Sequence, residues 1–287
     1  MKVVVLGKSG QVATALQRSS DPTIDIIALG RDELDLAGPA DVRSAISLHS
    51  PDAIINAAAY TAVDQAETDV ESAKALNVHA VRRLGQAADE LNIPMIHIST
   101  DYVFDGSGER PWRPEDPTGP LGVYGQTKLA GEQALAEVCT SYAILRTSWV
   151  YSSYGANFVK TMLRLGRDRT ELNVVGDQIG GPTSAQDIAN ATLTIAKALT
   201  EGPDTTGVWH LSGKDDCSWA DFATEIFDQS NIDCVVHPIP SSEYPTPAKR
   251  PLNSRLNCTA TLRDFGIDRP SWRQSLANVL KELGETQ

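Results

Sequence analysis

The chain has 287 residues, 41% of them hydrophobic and 22% charged, with a formal net charge of −12. Those proportions are those of an ordinary globular protein able to bury a sizeable core, and no apolar run approaches the roughly 18 residues that cross a membrane. An acidic chain of pI about 4.8 is a poor partner for nucleic-acid backbones or anionic membranes, so an anionic substrate requires a local basic patch.

The amino terminus, Lys2–Leu6, is an apolar stretch that stops at Gly7, which reads as a buried first strand and not as a signal peptide. Further strands are predicted at Asp25–Leu29, Ala53–Asn56, Met95–Ser99 and Ala143–Arg146, with a short Leu34–Leu36 segment joining the sheet edge. Short apolar runs alternating with helical patterns are the mark of βαβ units, whose parallel strands are buried on both faces. The expected class is therefore α/β: a Rossmann-like, doubly wound parallel sheet that binds a dinucleotide beyond the carboxyl ends of its strands.

After Trp149 the pattern loosens into a helix near Asn157–Leu165, a strand Leu172–Val175, a helix Ala185–Leu199, a strand Val208–Leu211 and a helix Trp219–Gln229. This predicts a dinucleotide-binding domain over residues 1–150, completed by elements within 155–211, and a smaller C-terminal α/β substrate-binding lobe over 151–287. Between Val235 and Pro251, Pro238, Pro240, Pro245, Pro247 and Pro251 exclude a regular helix and predict an ordered loop. The four cysteines, Cys139, Cys217, Cys234 and Cys258, form no CxxC pair. They are expected to be isolated thiols of a cytoplasmic protein.

Directly after the first strand, Gly7, Gly10 and Ala13 form a GxxGxxA turn that opens a helix at Gln11 and Val12. Glycines there let backbone approach a pyrophosphate, and the helix start offers unpaired N–H groups. The second strand ends at Gly30 and Arg31, where an NAD-specific site would usually place a carboxylate. This pair suits a 2′-phosphate, so NADPH is the expected cofactor, with NADH accepted because Asp32 is adjacent; Arg31 reads equally well as a solvated surface charge. The third strand runs into small residues ending in Ala59, Tyr60 and Thr61, which admit a flat cofactor or, equally, tight helix packing.

The most specific signal is Tyr124-Gly125-Gln126-Thr127-Lys128, 24 positions after Thr100 at the end of the fourth strand. A YxxxK spacing puts phenol and ammonium on one helical face, where the cation is expected to lower the phenol's pKa toward a value useful for proton transfer. Thr100 would supply a hydroxyl for a carbonyl oxygen.

With these motifs the chain resembles the dTDP-4-dehydrorhamnose reductases, extended short-chain dehydrogenases, along nearly its whole length. The strings that carry the resemblance are GKSGQVA (7–13), NAAAYTAVDQAE (56–67), STDYVFDG (99–106), VYGQTKLAGE (123–132), RTSWVY (146–151), DQIGGPTSA (177–185) and YPTPAKRPLNSRL (244–256). The resemblance implies reduction of the C4 ketone of dTDP-4-dehydro-β-L-rhamnose, the last step of dTDP-L-rhamnose synthesis. Thr100, Tyr124 and Lys128 would be catalytic, and Tyr124 and Lys128 would also touch the cofactor. Asp35 and Leu36 would join Gly7, Gly10, Gln11, Val12, Gly30, Arg31, Ala59, Tyr60 and Thr61 around that cofactor. Thr100, Asp101 and Trp149 would contact the sugar nucleotide, although a lone tryptophan is more often plain core. Arg250 would hold the diphosphate, or is a surface arginine.

Some members of the family form Mg²⁺-bridged dimers through glutamates, but the matching positions here are Ala15 and Gln186. Neither offers the anionic oxygen Mg²⁺ prefers, so no structural metal is expected, and the chain is expected to be a monomer or weak homodimer. Contact with the upstream epimerase stays open. Two rival readings remain: a partner-binding role like that of the non-catalytic β subunit of methionine adenosyltransferase, and a reductase giving the other C4 configuration, as in dTDP-6-deoxy-L-talose.

Overall fold

The computed structural model describes residues 1–202 and 206–285. Six parallel strands form the central sheet: β1 (Lys2–Leu6), β2 (Asp25–Leu29), β3 (Ala53–Asn56), β4 (Met95–Thr100), β5 (Tyr142–Thr147) and β6 (Gly207–Leu211), in spatial order β6-β5-β4-β3-β1-β2. The order reverses at β1 and β3, and it is at such a switch point that open α/β sheets leave a crevice for ligands.

The principal helices are α1 (Gln11–Gln17), α2 (Val42–Ser47), α3 (Ala80–Leu91), α4 (Val123–Val138), α5 (Phe158–Asp168), α6 (Ala185–Glu201), α7 (Trp219–Ser230) and α8 (Trp272–Glu282). Because side chains alternate across a strand, Val3 and Val5 join one apolar cluster with Val12 and Leu16 of α1 and Ile188 and Ile195 of α6. Val4 and Leu6 join the opposite cluster, with Val42 and Ile46 of α2, Leu84 of α3 and Leu135 of α4. Val3, Val4, Val5 and Leu6 are fully buried, which is why β1 reads as an unbroken apolar run.

A third cluster, built from Val159 and Leu163 of α5, Phe222, Ile226 and Phe227 of α7 and Trp272, Leu276 and Leu280 of α8, forms the core of a smaller α/β lobe. This lobe corrects one expectation. Val235–Ile239 is not loop but a strand paired in parallel with Glu171–Val175, Pro238 opposite Val174. Each of the two strands has a single partner, and such an edge position tolerates a proline that cannot complete a ladder.

Leu34–Leu36 is a second correction. It forms no strand; the chain turns at Gly30–Glu33 and again at Asp35–Gly38, and Leu34 and Leu36 are buried as plugs beneath the sheet edge. Their apolar alternation reflects that burial and not pairing. Among the described residues no helix is long and apolar enough to cross a membrane.

Candidate active site

The turn between β1 and α1 lines a cavity of about 640 Å³ with Gly7, Lys8, Ser9 and Gly10 on one wall. Gly30, Arg31, Asp35 and Leu36 form another wall, and Ala57–Ala59 the floor. Gly7 has φ +96°, and a β-carbon on it would lie 3.3 Å from the Ala58 backbone nitrogen, so a side chain is disfavoured twice over. Gly10 precedes α1 with no side-chain cap, and a β-carbon there would meet nothing closer than 4.0 Å. The backbone is thus bare where a phosphate would approach.

Not every expected cofactor residue faces that cavity. The Gln11 side chain turns to the C-terminal lobe, accepting from Ser152 Oγ (2.7 Å) and Asn157 Nδ2 (3.0 Å), and Val12 is buried in the core. Tyr60 and Thr61 follow the alanine floor. The Tyr60 backbone is bridged by Asn77, whose Oδ1 accepts from Tyr60 N (2.9 Å) while its Nδ2 donates to Tyr60 O (3.1 Å) and Thr127 Oγ1 (3.1 Å). Asn77 sits in a π-helical turn, Ala75–His79, a distortion common at functional sites.

Tyr124 and Lys128 lie one turn apart on α4, which packs on β4. Lys128 is 2% exposed; its Nζ donates to the Ile98 carbonyl (2.7 Å) and lies 3.2 Å from His97 Nε2. Burial brings the lysine down to about 8, opposed by the charge of Glu132. Burial likewise pushes the Tyr124 phenol up to about 12; the Thr100 hydroxyl counters this by hydrogen bonding, and Asp101 adds to it. The expected lowering of the phenol by Lys128 is therefore absent from this arrangement, in which burial dominates and Lys128 Nζ is turned toward β4.

Thr100 Oγ1 lies 3.1 Å from Asp101 Oδ1 and accepts from Tyr102 N (3.3 Å). Asp101 is 2% exposed, and its Oδ2 has no hydrogen-bond partner. Burial raises its carboxyl to about 6, against the hydrogen bonds of Ser254 and Thr100. The Tyr124 ring meets Tyr102 edge-on at 5.4 Å, and Tyr102 lines a second cavity of about 850 Å³ with Asp64, Gln178, Trp219, Tyr244 and Arg250. Arg250 donates through Nη2 to Asp64 Oδ2 (2.8 Å), while its buried Nη1 is unpartnered. Trp149 has φ +50°, a strained value for a bulky residue, and stacks on Trp219 at 3.6 Å.

A hydroxyl, a phenol and an amine thus meet about the carboxyl end of β4, and a glycine-lined cavity opens beyond the carboxyl ends of β1 and β2. Over residues 1–285 the chain matches the family model described as the RmlD substrate binding domain. It is 49% identical to the dTDP-4-dehydrorhamnose reductase of Sinorhizobium fredii, over 99% of this chain and 98% of that one. The chain belongs to the dTDP-4-dehydrorhamnose reductase family. Among solved structures, the dTDP-4-dehydrorhamnose reductase of Clostridium acetobutylicum superposes with a TM-score of 0.93 at 36% identity, covering 99% of this chain and 100% of that one. That of Bacillus anthracis, in complex with NADP, superposes at 0.91 with 35% identity, covering 98% and 99%.

In this dTDP-4-dehydrorhamnose reductase family member, several residues that hold the site escape motif reading. The string 56–67 supplies three. Asn56 reaches His97 (3.1 Å); Asp64 holds both Arg250 and the Ala248 N–H (3.1 Å); Glu67 accepts from Val123 N (2.9 Å) at the start of the Tyr124 helix. Lys8 and Glu33 form an ion pair at the rim of the glycine-lined cavity, and Glu33 Oε2 accepts from Gly30 N (2.9 Å). The only sequence signal for Lys8, Asn56, Asp64 and Glu67 is that they fall within strings already singled out, and Glu33 lies outside all of them. Of the metal-bridge positions, Ala15 is buried, and Gln186 is exposed and bonded to Asn190 (2.9 Å).

Proposed function

We propose that this chain reduces the C4 ketone of dTDP-4-dehydro-β-L-rhamnose to dTDP-β-L-rhamnose with NADPH as the preferred reductant and NADH accepted. The observation that supports the reading is the pairing of the Thr100 hydroxyl with the Tyr124 phenol at the end of β4, beside Tyr102, which lines the cavity of Arg250. A nicotinamide cofactor fits the first cavity, where Gly7 and Gly10 leave backbone bare and Arg31 and Lys8 offer cations to a 2′-phosphate. When bound, it supplies the hydride.

The chain's own groups do the rest. Thr100 holds the ketone oxygen by its hydroxyl, and Tyr124, protonated at neutral pH by virtue of its burial, delivers the proton as that oxygen becomes an alkoxide. Positioned proton transfer of this kind contributes about 10²–10⁴-fold. Lys128 holds the nicotinamide ribose and restores the proton of Tyr124. The unpartnered Asp101 Oδ2 and Arg250 Nη1 mark where a sugar hydroxyl and a diphosphate oxygen would complete the site, since buried polar atoms are normally paired. Trp149 borders the sugar. The protein works as a cytoplasmic monomer or weak homodimer with no structural metal.

The test is turnover of the 4-keto sugar nucleotide with NADPH followed by NMR of the product. A product whose C4 configuration is that of rhamnose supports the reading. The 6-deoxy-talose configuration would move it to the rival reductase, and no turnover beside a tightly bound partner protein would move it to a binding role.

A further inference from the structure

Beneath the site, three side chains form a chain of hydrogen bonds whose polarity is fixed from one end. Asn56 Oδ1 accepts from the Ala58 backbone N–H (3.1 Å). A backbone N–H can only donate, so the other amide atom, Nδ2, must face His97 Nδ1, 3.1 Å away. Nδ2 carries hydrogens and no lone pair for bonding, which makes His97 Nδ1 the acceptor and therefore unprotonated. A neutral imidazole with a bare Nδ1 carries its proton on Nε2. That Nε2–H is directed at Lys128 Nζ, 3.2 Å away.

An ammonium has three donors and no acceptor, so it cannot receive this hydrogen bond; an amine can. The amine form also keeps a hydrogen for its bond to the Ile98 carbonyl (2.7 Å). We propose that Asn56 and His97 form a tautomer lock, in which the imidazole donates to the amine form of Lys128 and favours that form over the ammonium while the side chain lies against β4. The proposal rests on the reading of Lys128 as part of the reductase site and goes beyond it: His97 is a positioning residue that ties the lysine's charge to its place. When Nζ swings away from His97 toward the ribose and Tyr124, its lone pair is released and takes a proton from solvent; the imidazole neither gains nor loses one.

The surroundings suit a neutral pair. Asn56, His97 and Lys128 are each at most 2% exposed, and burial disfavours the charged forms of both ionisable groups, holding His97 well below the ordinary imidazole value and lowering Lys128. The charged and titratable groups around the lysine are His97 and Asp101 from the β4 segment and Tyr124 and Glu132 from its own helix. Arg146 of β5 binds Glu132 through Nε (2.9 Å) and Nη2 (2.6 Å), so that carboxylate is paired with a cation of its own, although its charge still favours the ammonium.

The test is NMR on the full-length protein, with [15N]histidine reading the His97 tautomer and [13Cε]lysine the Lys128 titration, assigned through His97→Gln and Lys128→Met. The expected result is a bare Nδ1 and a protonated Nε2 at pH 7. Asn56→Asp keeps an oxygen for Ala58 but presents a second acceptor to Nδ1. It should flip the tautomer and move the Lys128 midpoint up by about one pH unit or more, tenfold in protonation at fixed pH. A protonated Nδ1 or an imidazolium in the unmutated protein overturns the proposal, as does an unmoved Lys128 midpoint in a folded Asn56→Asp. Loss of ketone reduction with the Nε2–H tautomer in place would count against the reductase reading alone.

Discussion

Gly131 packs so closely beneath Asn77 that a β-carbon on it would fall 2.0 Å from the Asn77 carbonyl oxygen. One turn and a half earlier on the same helix, a β-carbon on Gly125 would fall 2.2 Å from the Tyr102 carbonyl oxygen. The helix that carries Tyr124 and Lys128 is therefore set against its neighbours backbone to backbone. Gly131→Ala should cost about 1–3 kcal/mol in urea unfolding, the usual range for overpacking. It should also lower kcat more than it raises the KM for the sugar nucleotide, because the displaced helix carries the proton donor. Unchanged stability and kcat would mean that the contact is readily relieved.

Asp101 gives a prediction of opposite sign. Its carboxyl is raised from 3.8 to about 6 by burial, so the folded protein binds this proton more tightly than the unfolded chain. Stability contributed by that proton is present below about pH 4 and lost as pH rises through about 6. Asp101→Asn should thus be more stable than the unmutated protein at pH 7, by about 1–3 kcal/mol, with the gain shrinking at pH 4.5. The same substitution should reduce kcat/KM, a stability gain opposed to function. Denaturant midpoints at the two pH values check this; a variant less stable at pH 7 contradicts it.

Arg31 tests cofactor preference. Its side chain is 76% exposed and lies 3.9 Å from Asp35, at the rim of the cavity lined by Gly7 and Gly10. Arg31→Ala should raise the KM for NADPH about tenfold, or 1.4 kcal/mol, and leave that for NADH nearly unchanged. An equal rise for both cofactors would assign Arg31 to general structure and leave Lys8 as the 2′-phosphate ligand.

The α/β class and the turn from Gly7 to Ala13 are legible in sequence because each depends on neighbours: an apolar strand, a glycine, a helix start. Tyr124 and Lys128 are legible for the same reason, being one helical turn apart. Asp64, Glu67 and Asn77 are not, since each acts across the fold, on Arg250, Val123 and Tyr60 respectively, and nothing local distinguishes them from solvated polar residues. Leu34 and Leu36 misread as a strand because burial alone produces alternation. Val235–Ile239 misreads as loop because Pro238 is tolerated at a sheet edge whose existence depends on Glu171–Val175, more than sixty residues earlier. Local spacing likewise predicts that Lys128 lowers the Tyr124 phenol, and only the burial of both reveals that desolvation prevails.

The most direct test of the account is the loss of absorbance at 340 nm when the protein and its Tyr124→Phe variant are each given the 4-keto sugar nucleotide with NADPH. The account predicts turnover by the unmutated protein and a fall of about 10²–10⁴-fold in Tyr124→Phe, with NADPH binding retained. Equal turnover by the two would contradict the assignment of Tyr124 as proton donor, and turnover by neither would contradict the reductase itself.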